Sequence, residues 1–92
     1  MSPTVRVARR GDGSFDVEVA DVGTPTRHVV RVPPGFAADL GCPEVAEDRI
    51  VAESFAFLLE REAPSSILPR FGLEVIGQYF PEYRREIARR LA

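Results

Sequence analysis

The stretch that decides the fold is Phe15-Asp16-Val17-Glu18-Val19, with its echoes Val5-Arg6-Val7 before it and His28-Val29-Val30-Arg31-Val32 after it. In each, every second residue is apolar, the period of a strand that buries one face and wets the other. Gly11-Asp12-Gly13 joins the first two strands with residues that tolerate positive φ, as a tight hairpin needs. A longer turn, Asp21-Val22-Gly23-Thr24-Pro25-Thr26, joins the second to the third. Paired in sequence order, these strands display Arg6, then Asp16 and Glu18, then Arg31 on the wet face, so opposite charges meet across the ladder. Pro33-Pro34-Gly35 ends the run because proline cannot donate to a sheet.

Beyond this sheet the periodicity becomes helical. Phe36 to Cys42 reads as a connector, with Phe36 and Leu40 plugging the core. Pro43 then suits a first helical position, with Cys42 as its N-cap, and Glu44, Glu47 and Asp48 sit where a helix dipole favours acids. Ile50, Val51, Phe55, Phe57, Leu58 and Leu59 sweep an apolar arc of about 200°, wider than the stripe of a helix with a single contact. The spacing therefore predicts two neighbours for this helix: the sheet, and either a second helix or a partner chain. Pro64 closes it and Ser65 or Ser66 caps a short segment from Ser66 to Phe71, for which Gly72 serves as a left-handed terminator. Leu73 to Phe80 forms another turn of helix. Pro81 opens the last helix, whose inward stripe is Tyr83, Ile87 and Leu91, with Glu82 and Glu86 early and Arg89 and Arg90 late. The expectation is a single α+β domain over residues 1–92, a three-stranded antiparallel sheet with one long and two or three shorter helices on one face, βββααα.

The 92 residues suit one domain. Surface scaling gives about 5,300 Å² folded against about 14,800 Å² unfolded, enough for one core but not for a core and a deep substrate cavity. No apolar run approaches the roughly 20 residues of a membrane span. The opening Met1-Ser2-Pro3-Thr4-Val5 has no signal-like stretch. The lone Cys42 excludes an intrachain disulfide and a cysteine zinc cluster. All 12 basic residues are arginine and the formal net charge is −2, which gives no strong overall field toward nucleic acid. Acids dominate residues 43–63, six against two arginines, and arginines dominate residues 64–92, five against three acids. This pattern points to pairing within the chain.

No motif implies a cofactor or a metal. Glu44, Glu47, Asp48, Glu60 and Glu62 resemble a metal set only by number, lacking EF-hand spacing and any Glu-x-x-His pair. Gly11-Asp12-Gly13 precedes a strand, whereas a phosphate loop precedes a helix. His28, the only histidine, falls on the inner side of the sheet, and no spacing supplies a nucleophile or an orienting carboxylate. At a helix N-terminus Cys42 would have a lowered pKa, but the acids around it oppose a thiolate. A small enzyme using His28 or Cys42 is thus the weakest of three readings. Nucleic-acid binding through Arg84, Arg85, Arg89 and Arg90 on the last helix is the second, opposed by Glu82 and Glu86 on the same helix. The favoured reading is a non-enzymatic interaction or regulatory module, a homodimer or a subunit of an assembly, with Phe57, Tyr79, Tyr83 and Arg84 on its docking surface.

The string Ser54-Phe55-Ala56-Phe57-Leu58-Leu59-Glu60-Arg61-Glu62, then Ser66-Ile67-Leu68, Phe71, Leu73, Ile76 and Tyr79-Phe80-Pro81-Glu82-Tyr83, resembles a group of small bacterial proteins without established activity. The resemblance extends over about residues 28–87. It implies a shared small fold and a bacterial cytoplasmic setting, and carries over no catalytic residue.

Overall fold

The computed structural model describes residues 3–20 and 23–92. Strands β1 (Thr4–Arg9), β2 (Phe15–Ala20) and β3 (Thr26–Arg31) form where alternation predicts them. They pair antiparallel in sequence order, with Val7 opposite Val17 and Val17 opposite His28. The first hairpin turns at Gly13, whose φ of 87° only glycine adopts cheaply. Asp12 braces it by accepting from the Ser14 amide at 3.0 Å and the Ser14 hydroxyl at 2.6 Å. Asp21 and Val22 of the second turn lie outside the described residues. On the wet face Arg6 stands opposite Glu18, and Glu18 pairs with Arg27 at 3.6 Å. Asp16 pairs with Arg10 at 2.9 Å.

The sheet has a fourth strand, β4 (Arg70–Gly72), parallel to β3, so it is mixed and the order is β1-β2-β3-β4. This corrects the three-stranded antiparallel expectation. The physical reason lies in Ile67-Leu68-Pro69, read above as helix. Proline inside the segment bars a helical ladder and holds its predecessor extended. The Pro69 carbonyl instead accepts from the Val29 amide at 2.8 Å, bringing Arg70 beside Val29 and Phe71 beside Val30. Gly72 accordingly has φ −97° and is strand, not a left-handed terminator.

After β3, Gly35 at φ 74° starts the short helix α1 (Phe36–Asp39), and Phe36 and Leu40 are buried as core plugs. Helix α2 (Glu47–Leu59) begins later than expected, with Ala46 at its N-cap position. Cys42 is not the cap, because its carbonyl closes a turn with the Val45 amide at 3.1 Å and the ladder starts from Ala46. A 3₁₀ turn at Pro64–Ser66 precedes β4, and another at Leu73–Val75 leads into α3 (Ile76–Tyr79). Helix α4 (Tyr83–Leu91) buries Tyr83, Ile87 and Leu91, the stripe expected of it.

The protein is α+β, with four α-helices among the described residues. The inner faces of the strands, both sides of α2 and the stripe of α4 contribute to one buried apolar cluster. Helix α2 packs on β1 and on α4, so its wide arc is covered by the chain's own sheet and its own last helix. The accessible area, 5591 Å², is close to the scaling value of about 5,300 Å². No helix in the described residues is long and apolar enough to cross a membrane.

Candidate functional site

Of the four residues expected on a docking surface, the structure buries two. Phe57 and Tyr83 are both 0% exposed. Their ring centroids lie 5.3 Å apart at 65°, and Phe80 meets Phe57 edge-on at 5.9 Å. The outer side of Phe57 is closed by Arg61, whose guanidinium carbon lies 3.6 Å from the ring centroid, an arrangement that aromatic faces favour electrostatically. Phe57 and Tyr83 are therefore corrected from surface to core residues. The apolar surplus that suggested a partner is met by α4.

Tyr83 also explains how α4 is held. The Ser54 hydroxyl donates to the Ile50 carbonyl at 2.7 Å, so the Tyr83 hydroxyl, 2.7 Å away, donates to Ser54. Burial pushes the Tyr83 pKa up to about 12, since a phenolate there would lose its water.

Tyr79 and Arg84 remain outside. Tyr79 is 67% exposed and Leu68 is 44% exposed, the large apolar side chains that face solvent among the described residues. They border a groove of about 210 Å³ that opens beside α3. Its floor is apolar, formed by Leu58 from α2, Ile67, Phe71 from β4, and Val75 and Ile76 from the turn into α3. Phe80 and Ser66 complete the wall, and Glu62 is the one charged side chain lining it. Sequence reasoning found Tyr79 but missed Leu68, Ile67 and Glu62. Pro69 was the available signal, because it holds its predecessor Leu68 extended instead of on a helix face, and Leu68 is exposed while Ile67 is buried.

His28 holds that segment in place. The ring is 3% exposed and packs 5.3 Å from Phe55. Its Nδ1 lies 2.8 Å from the Leu68 carbonyl, which can only accept, so Nδ1 carries the proton. Its Nε2 then accepts from the Thr26 hydroxyl at 2.9 Å. Both ring nitrogens are occupied, Nδ1 in tying β3 to the groove's rim and Nε2 by a hydroxyl of β3 itself. Cys42 is 7% exposed, with Sγ 3.8 Å from the Leu40 carbonyl. Neither residue lines the groove, and the His28 ring is oriented by a backbone carbonyl, with no carboxylate on it among the described residues.

The four arginines proposed for nucleic acid do not form one free patch. Arg90 forks onto Glu60 at 2.7 and 2.8 Å and reaches Glu86 at 2.9 Å. Arg89 also pairs with Glu86. Together these arginines hold the Glu86 carboxyl down at a pKa of about 2, and Arg90 lowers that of Glu60. Arg84 lies 5.9 Å from the Phe36 ring, and Arg85 is exposed without a carboxylate partner among the described residues.

A second cleft opens on the outer side of the sheet beside Arg31 and Arg70. Arg31 is paired there with Glu74 at 3.1 Å. Among the described residues no three His, Cys, Asp or Glu side chains are gathered for a metal ion. Comparisons with protein-family models, with curated proteins and with solved structures each give no match to this chain.

Proposed function

We propose that this chain is a non-catalytic protein-interaction module that docks a segment of another protein in the groove between Leu68 and Tyr79. One observation carries the reading: an apolar groove flanked by Leu68 and Tyr79, the exposed large apolar side chains among the described residues. Isolated exposed apolar residues are ordinary, but two of them bordering one apolar concavity form a surface that gains by being covered. The aromatic–aliphatic composition suits anchor side chains of a partner. The basic helix is a poorer candidate, because Arg89 and Arg90 are committed to Glu86 and Glu60. The resemblance to small bacterial proteins makes a bacterial cytoplasmic setting the natural one.

The experiment is selection of a random displayed-peptide library on the folded protein. Enriched peptides that lose binding to Leu68→Ser and Tyr79→Ser, both with unchanged circular dichroism, are the expected result. Failure to enrich any peptide, or binding undiminished by both substitutions, overturns the reading.

A further inference from the structure

We infer that the groove selects a partner segment that sets a positive charge beside its apolar anchor, with the Glu62 carboxylate as counter-charge. This rests on the docking reading above and adds the partner's chemistry. Glu62 follows the C-terminal end of α2, its amide bonded to the Leu58 carbonyl at 2.9 Å. The negative end of the helix dipole therefore adds to its charge. Its neighbours among the acids are engaged: Glu60 by Arg90 and Arg61, Glu82 by Arg61, and Glu86 by Arg89 and Arg90. Glu62 has no ion-pair or hydrogen-bond partner for its carboxylate among the described residues, and no basic side chain lines the groove. The groove is thus apolar with a single uncompensated negative charge. An occupant that buries it without supplying a cation leaves that carboxylate desolvated and unpaired. The aromatic wall adds to the attraction, because ring faces draw cations, as Arg61 on Phe57 shows within this chain.

A second copy of the chain fits this chemistry poorly. A two-fold contact would use the same patch on both copies and bring two Glu62 carboxylates into one interface. The arginines without carboxylate partners on α4, Arg84 and Arg85, belong to a helix whose apolar stripe is buried, so they offer no anchor beside their charge. Arg70, also without a carboxylate partner among the described residues, lines the second cleft and not this groove. The proposed occupant is therefore a different chain, a short basic–apolar segment.

The test uses two labelled synthetic peptides with the same leucine–phenylalanine centre, one flanked by lysine and the other by glutamate. Binding is read by fluorescence anisotropy to the wild type, Glu62→Gln and Glu62→Lys. The lysine-flanked peptide is expected to bind the wild type about two- to fivefold more tightly, the size of one partly exposed ion pair. That preference should vanish in Glu62→Gln, reverse in Glu62→Lys and shrink with added salt. Equal binding of both peptides, lost in Leu68→Ser, overturns the charge selection while leaving the docking reading standing. A preference that survives Glu62→Lys overturns it too. Absence of binding by either peptide overturns the inference, and the library selection then decides the docking reading separately. A dimer in sedimentation that Leu68→Ser dissociates would replace the proposed partner with a second copy.

Discussion

The Tyr83 hydroxyl donates to Ser54 Oγ at 2.7 Å, across the buried seam where α4 lies on α2. Because Ser54 spends its own proton on Ile50, the two positions are not equivalent. Tyr83→Phe removes one donor and leaves Ser54 bonded, at a cost of about 0.5–1.5 kcal/mol. Ser54→Ala strands a buried phenol and costs about 1–3 kcal/mol. The double variant Ser54→Ala, Tyr83→Phe is expected to be more stable than Ser54→Ala alone, as urea midpoints will show. A double variant that is the least stable of the three contradicts the donor assignment.

Alkali provides a second check on the same phenol. Its pKa rises from about 10 to about 12 on folding, so the folded state holds the proton more tightly than the unfolded chain. The sign follows from linkage: stability is full below about 10 and is lost as pH climbs toward about 12, by up to about 2–3 kcal/mol. The chain has two tyrosines, so Tyr79→Phe isolates Tyr83 for an absorbance titration. Tyrosinate should appear together with unfolding. Titration near the ordinary value with a native circular dichroism spectrum is the contrary result.

On the acid side Glu86 is depressed from its ordinary 4.5 to about 2 by Arg89 and Arg90. A carboxyl held down by folding contributes stability above its unfolded value, and that contribution fades as pH falls from about 4.5 toward about 2. The wild type should therefore lose thermal stability more steeply over this window than Glu86→Gln. Parallel curves for the two proteins would show that the arginine fork does not couple to folding.

The amphipathic alternation of the first three strands was legible because period two needs only neighbouring residues. The stripe of Tyr83, Ile87 and Leu91 was legible for the same local reason. Two features were not. β4 has three residues and no alternation of its own, and it exists because β3 has a free edge to which Pro69 can lend a carbonyl. The fate of the broad apolar arc on α2 depended on whether α4 folds back upon it, a contact between residues such as Ser54 and Tyr83 that no spacing reveals. That is why Phe57 read as surface and is core. Of the proposed docking surface, Tyr79 could be named from sequence, whereas Leu68 is turned outward by strand pairing and a histidine forty residues away.

Gly72 separates the two readings of its segment experimentally. As a left-handed terminator it would resist a side chain, but at φ −97° the backbone accepts alanine. The added Cβ meets only the end of the Glu74 side chain, which folds over Gly72 to reach Arg31. Gly72→Ala should thus cost at most about 1 kcal/mol, through the exposed Arg31–Glu74 pair. A markedly larger loss in urea unfolding would favour the helical terminator.

Phe57 and the Leu68–Tyr79 pair answer the central question together, since the account makes the first structural and the second functional. Phe57→Ser should destabilise the fold by about 3–5 kcal/mol or prevent folding. The decisive measurement is urea unfolding of Leu68→Ser, Tyr79→Ser alongside its affinity for peptides selected on the wild type. The expected result is an unfolding free energy within about 0.5 kcal/mol of the wild type, as for surface positions, and loss of peptide binding. Retained binding in that double variant, or its collapse to an unfolded chain, contradicts it.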